Sequence, residues 1–413
     1  MTSRHAVRKE RAAQVTESVT EVGAFPMPRD ARCPFDPPPG LIQAPPVSRV
    51  RIWDGSQPWL ITGYQAVRGL LADPRVSADA TRAGYPFSTV GLAASVKRGN
   101  TFMSMDDPEH ARYRRMLTSY FSIKRIDRMR PGIQRMADEL VDDMLRSGNS
   151  ADLVSAFALP LPSMVICELL GVPYAERDEF QRLAQVSIST TSSAEQALAA
   201  ADEMLALIRD VVELKAARPG PDILTHLVSQ RELTRDQVAA IGRVLLLAGH
   251  ETTANMIALG TAAVLAHPEQ AAYLREQDDP ERIAGAVEEI LRYLTIVHHG
   301  RRRVARAEIA VDGTVIKQGE GLILAIESAN RDPSAFEGDP DVLDLTRASR
   351  HHLAFAFGPH QCLAQALARV ELQVAYRTVF RRIETLRLDT ALTDLPYKHD
   401  MRIYGLHELP VRW

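Results

Sequence analysis

The segment from Thr234 to His267 has almost no polar face: VLLLAG is followed within a few residues by ANMIALGTAAVLA, and Pro268 closes it. Thr234 and Gln237 form the Thr-x-x-Gln pattern of a capping box, and a proline is a stop signal. The spacing therefore predicts one helix of about 33 residues, roughly 50 Å long. A helix on the surface of a domain shows one apolar stripe, whereas one that is apolar on nearly every side belongs at the centre of a large domain. The polar residues that interrupt it, His250 to Thr253, then need a reason.

The remainder of the chain can surround such a helix. Of 413 residues, 46% are hydrophobic and 24% charged, ordinary values for a protein with a large core. The 49 basic and 52 acidic residues leave a formal charge of -3, which argues against a dedicated nucleic-acid or anionic-membrane binder. Three scattered cysteines, Cys33, Cys167 and Cys362, are too few for a disulfide framework and leave at least one free thiol. That fits a reducing compartment. No run reaches the roughly 18 apolar residues of a membrane span, so the expectation is a cytoplasmic protein with no membrane association.

Residues 1–25 carry charge without an apolar core and read as a flexible leader. Past a proline-rich entry (Pro34, Pro37, Pro38, Pro39), VRIW and PWLIT flank Asp54-Gly55 as a β-hairpin. A helix pattern follows near 65–73, and 108–217 is mostly helical by its three-to-four apolar spacing. Residues 218–222 form a connector. Asp279 and Pro280 open a helix that reaches about Tyr293. Residues 303–326 alternate as strands around Asp312-Gly313, and ALARVELQVAYRTVFRRI is the last helix. No repeat or linker divides the chain. It reads as a single domain over 1–413, mainly α with a small β region.

Three stretches carry chemistry. In FAFGPHQCLAQALAR (355–369), Cys362 follows a Gly-Pro loop and precedes a helix, where backbone N–H groups stabilise a thiolate, lower its pKa and so favour binding of iron. Taken alone, a free cysteine is more often a small buried hydrophobe, the reading that Cys33 and Cys167 keep. Glu289 and Arg292 lie three apart, on one helix face, as an ion pair requires. In AGHETT (248–253), Gly249 costs about 1 kcal/mol against Ala in a helix interior, which suggests close approach of a flat ligand or a locally widened turn. The competing reading of Thr252 is a hydroxyl bonded back to its own helix.

Together these stretches resemble the cytochrome P450 superfamily, and AGHETTANMIALG, EEILRYLTIVH and FGPHQCLAQ are most similar to its actinomycete members, which tailor natural products or oxidise foreign compounds. The likeness runs from RCPFDPP to LPVRW. It implies the P450 fold, haem b as cofactor, Cys362 as the iron ligand, and Glu251 and Thr252 as the acid and alcohol that deliver protons when O2 is activated. It places Phe355 and Gly249 against the haem. Through MDDPEHARYRR, RRRVA and the cysteine loop it makes His110, Arg114, Arg303 and His360 the partners of the propionates. Glu289, Arg292 and Arg347 become a structural ion-pair triad. Ala356 and Ala364 stand where many relatives have Gly.

The implied reaction is insertion of one oxygen atom from O2 into an apolar organic substrate, by C–H hydroxylation or epoxidation, in secondary metabolism. Alternatives are a peroxide-driven P450, a P450 that closes rings or couples without inserting oxygen, and a non-catalytic haem sensor. Electrons are expected from a separate ferredoxin and its NAD(P)H-dependent reductase, docking near Arg112, Arg115 and the cysteine loop, on a monomer. The resemblance lines the substrate pocket with Phe87, Met103, Val244, Leu247, Ala248, Ile296, Val297, His299 and Ile403, beneath a flexible cover that includes SISTTSSAEQ. Adjacent histidines at 298–299 and 351–352 are not expected to bind metal, because neighbouring side chains on a strand diverge. By the same alternation Arg302 points away from Arg303 while Arg301 shares its side. Arg301 and Arg302 read more readily as solvated charges, with Arg301 as an anchor for an acidic substrate the alternative.

Overall fold

The computed structural model describes residues 23–99 and 101–413. Its axis is the helix Arg235–Leu265, and both halves of the capping box are made: Thr234 Oγ accepts from the Gln237 N–H, and Gln237 Oε1 accepts from the Thr234 N–H. From Val238 to Val264 nearly every residue is buried. Helices Pro160–Leu170, Ala194–Ala217 and Gln365–Arg382 pack against it, and Ile123–Ser147 covers the last of these from outside. Gly260 decides one crossing. A Cβ there would collide with the Tyr376 hydroxyl, which donates to the Met256 carbonyl at 2.6 Å and bolts helix Gln365–Arg382 to the central helix.

The strands are β1 (Val47–Arg49), β2 (Trp59–Ile61), β3 (Val76–Ser77), β4 (Ser150–Asp152), β5 (Arg301–Ala305), β6 (Ile309–Val311), β7 (Thr314–Ile316), β8 (Gly321–Leu324), β9 (Arg387–Leu388) and β10 (Pro410–Arg412). Five of them form a sheet in the order β1-β2-β8-β5-β3, in which only β2 and β8 run parallel. The expected hairpin around Asp54-Gly55 is β1–β2, with its ladder beginning at Val47 rather than Val50. β6 and β7 meet at Asp312 (φ 45°) and Gly313 (φ 78°), the two positive φ angles that a two-residue hairpin turn demands. The register Arg301↔Leu324, Arg302↔Ile323, Arg303↔Leu322 sets three arginines in a row on β5.

Residues 1–22 of the expected leader lie outside the described residues. The leader ends sooner than expected: Ala24 bridges to Arg51 and the Phe25 ring is buried, so the chain is anchored there by apolar burial. The Ser/Thr-rich stretch expected as a flexible cover is tied down at Thr190, whose N–H and hydroxyl both reach the Asp400 carbonyl, and Ser193 caps helix Ala194–Ala217.

Candidate active site

Gly358 adopts φ +74°, and a Cβ there would press on the Leu71 carbonyl at 2.7 Å, so the loop before Cys362 lies backbone to backbone on helix Tyr64–Ala72. Ala356 takes φ +60° without being glycine, a left-handed conformation that costs about 1–2 kcal/mol. The Cys362 N–H then closes the loop on the Phe355 carbonyl at 2.8 Å. Helix Gln365–Arg382 begins three residues past the cysteine, and the Ala364 N–H points at its sulfur. The expected lowering of the thiol pKa does not prevail. Burial pushes it up, and the Ala364 N–H and the charges of Arg301, Arg114 and Arg369 only partly offset this.

Beside the cysteine, the rings of His110 and His360 stack with centroids 3.9 Å apart. His110 Nδ1 lies 3.0 Å from Asp107, and Arg114 donates to the Gln361 carbonyl at 2.6 Å. Arg303 folds back onto the carbonyl of Arg302 at 2.7 Å. Burial pulls its guanidinium down to about 10, and burial with the charges of Arg303 and His110 pulls His360 down to about 3. A buried cation that a nearby acid offsets only in part is costly. Phe355, Leu363, Ala364 and Ala366 around the thiol keep half-open apolar surface, and on the central helix the stretch Leu247 to Gly249 and Thr252 are half-open as well. A thiol, half-open apolar surface and buried cations, which Asp106 and Asp107 offset only in part, form a donor set that fits a flat metal-bearing group with carboxylate arms.

On the central helix, Glu251 and Thr252 occupy neighbouring positions with different surroundings. Thr252 Oγ donates to the Ala248 carbonyl at 2.7 Å, the local bond that competed with a functional reading. Glu251 is 1% exposed; Asn255 donates to its Oε2 at 3.2 Å, and Lys398 Nζ stands 3.7 Å away. His250, its other close neighbour at 3.8 Å, is held uncharged by burial. Gly249 has a close neighbour on another helix as well. Its missing Cβ faces Ile166 of helix Pro160–Leu170, where a methyl would lie 2.9 Å from the Ile166 Cδ1, so close packing of that helix accounts for part of the need for glycine.

A cytochrome P450 family model matches residues 283–397, which span the helix of Glu289 and Arg292 and the cysteine loop. Cytochrome P450-SU2 of Streptomyces griseolus is 50% identical over 391 residues, 94% of this chain and 96% of that protein. The chain is a cytochrome P450. The crystal structure of GfsF superposes with a TM-score of 0.88 at 48% identity, covering 95% of this chain and 100% of the other; GfsF is a cytochrome P450 of Streptomyces halstedii. CYP105P1 in complex with filipin I has a TM-score of 0.87 at 38% identity, covering 95% and 99%. The protein is thus a haem-thiolate monooxygenase that binds haem b and works with an organic substrate, O2 and redox partners. Among the described residues no helix is long and apolar enough to cross a membrane.

In this P450 the pair Glu289–Arg292 is fully buried and doubly bonded, at 2.7 and 2.8 Å. Arg347 Nε reaches Glu289 Oε1 at 3.2 Å, and the Ser349 hydroxyl donates to Oε2. A second network was not foreseen: Glu288, one residue earlier, accepts from His352 at 3.0 Å and from Arg369 of the cysteine helix at 2.6 Å. Arg369 in turn lies 4.5 Å over the Phe355 ring. The clue in sequence was the doubled acid of EEILR. In the two histidine pairs, His298 lies on the Met401 carbonyl at 2.7 Å and His352 on Glu288.

The expected pocket residues divide. Ala248, Leu247, Phe87, Val297 and Ile403 are half-buried; Val244, Ile296 and His299 are buried; Met103 is 51% exposed. The solvated reading of Arg302 is overturned: it is buried and donates to the carbonyls of His299 at 3.1 Å and Pro86 at 2.9 Å, bracing the loop that carries Phe87. Arg301 is half-buried, with a buried Nε that has no partner. Lys398, Tyr85 and Arg402 reach the site from segments that no motif had marked.

Proposed function

We propose that this P450 hydroxylates or epoxidises an apolar natural product, with the roles distributed as follows over one domain spanning the chain. Cys362 ligates the iron, Phe355 packs beside it, and His110, Arg114, Arg303 and His360 hold the propionates. Bound there, haem b supplies the activation of O2. Glu251 relays protons toward the Thr252 hydroxyl; the observation that carries this is a buried carboxylate, paired with Lys398, in a helix that is otherwise apolar. Glu289, Arg292 and Arg347 fix the helix and loop on which the cysteine segment rests. Secondary metabolism is supported by likeness to a P450 crystallised with filipin I. Free Cys33, Cys167 and Cys362 fit a cytoplasmic setting.

Electrons come from a separate ferredoxin and its NAD(P)H-dependent reductase, docking on a monomer at the exposed Arg112 and Arg115. The test is a reconstituted assay with a bacterial ferredoxin, its reductase and a panel of apolar natural products. Product carrying one atom of labelled O2, formed in step with cofactor consumption, supports the reading. Product without the label points to ring closure or coupling, and no product with any compound that displaces water from the iron contradicts an oxygenase.

A further inference from the structure

The expected propionate partners account for only part of the guanidinium charge in the interior, which also includes Arg301 and Arg402. Arg402 lies on a loop anchored by Tyr404 N–H to the Ile296 carbonyl at 2.8 Å and by its own N–H to the Ile188 carbonyl at 3.0 Å. Its Nη2 donates to the Ser187 carbonyl at 3.1 Å, while its Nε is buried with no partner. Arg301 Nε and His299 Nδ1 are buried and unpartnered in the same way. The three groups share a surrounding: the charges of Arg301 and Arg402 both act on Tyr85, and that of Arg402 acts on His299. Among the described residues no carboxylate acts on either guanidinium.

The propionate partners do not explain Arg402. The largest charges on His360 come from Arg303, His110, Asp106 and Arg114, so that cluster is complete without it. Arg402 sits instead beside Ile403 and the end of helix Arg177–Ile188, on the side expected to hold substrate. A guanidinium there, with unsatisfied donors and no acid, costs free energy unless an anion arrives with the ligand. The planar fork of Arg suits a carboxylate, which accepts two parallel hydrogen bonds.

We propose that the substrate carries a carboxylate and that Arg402, with Arg301 and the Tyr85 hydroxyl at its edge, selects and orients it. This rests on the P450 reading of the cavity. An apolar body would then fill the space along Ala248 and Val297 while its acidic end is held at Arg402.

The test uses a series of ω-imidazolyl alkanoic acids of graded chain length and their methyl esters, titrated into the purified haem protein. The imidazole anchors each probe to the iron, and the shift of the haem band reads affinity. At one chain length the acid is expected to bind about tenfold or more tightly than its ester, the range of a charge-assisted hydrogen bond. Arg402→Gln should collapse that ratio toward one with the ester affinity unchanged, and Arg402→Lys should restore part of it. A ratio of one or less at every length, or a ratio untouched by Arg402→Gln in a variant that keeps the parent haem spectrum, overturns the proposal. If imidazole gives no shift in the parent protein, the P450 reading fails with it.

Discussion

Lys398 and Glu251 face each other across 3.7 Å in the interior, each less than a twentieth exposed. Because burial keeps His250 uncharged, Lys398 supplies the charge that the Glu251 carboxylate needs. Removing one partner of a buried pair leaves the other stranded, at a cost of about 3 kcal/mol. Lys398→Met should lose stability of that order in urea denaturation, and adding Glu251→Gln should recover most of it. Additive losses in the double variant would mean that the two groups are not coupled.

Thr252 spends its hydroxyl on the Ala248 carbonyl, so its loss leaves no buried acceptor from another element unpaired. Thr252→Ala should therefore fold and bind substrate as the parent does while sending electrons to hydrogen peroxide. Proton delivery by a positioned group is worth about 10²- to 10⁴-fold. The ratio of product to cofactor consumed is the readout, and a ratio equal to the parent's would remove Thr252 from proton delivery.

Glu288 gives the fold an acid sensitivity. Burial pushes its carboxyl up, but the hydrogen bonds of His352 and Arg369 outweigh this and hold it down to about 2. A carboxyl depressed from 4.5 to about 2 stabilises the folded state on the order of 3 kcal/mol at neutral pH, and this is lost as pH falls from about 4.5 through about 2. The stability gap between the parent and Glu288→Gln should be widest at neutral pH and shrink across that window. A gap that is constant with pH would contradict the assignment.

The crossing of the central and cysteine helices depends on Gly260. Gly260→Ala drives a methyl into the Tyr376 hydroxyl and breaks its bond to the Met256 carbonyl. Overpacking of this kind costs about 1–3 kcal/mol, so the midpoint of thermal unfolding should fall while Tyr376→Phe/Gly260→Ala falls further by less than the sum of the singles.

What could be read in the chain was what local rules govern. Thr234 and Gln237, Asp279 and Pro280, and Asp312 and Gly313 each announced a cap or a turn through residues close in sequence, and the structure forms all three. Misreadings arose where a distant element decides. A glycine in a helix interior tells only that something comes close, and gave no sign that Ile166, from another helix, is one such neighbour of Gly249. Arg302 was indistinguishable from a surface charge until the Pro86 and His299 carbonyls were in place around it. The Cys362 thiol was judged by the helix that follows it, whereas burial governs its pKa. Lys398 and Arg402 gave no signal, because neither belongs to a pattern and each acquires its meaning from a buried neighbour.

The central claim is that Cys362 holds the iron through its thiolate. The absorption spectrum of the reduced protein under carbon monoxide measures this directly, since thiolate ligation moves the main haem band to a diagnostic long wavelength. Parent, Cys33→Ala and Cys167→Ala proteins should all show that band, and Cys362→Ala should lose it. Retention of the band in Cys362→Ala would contradict the account.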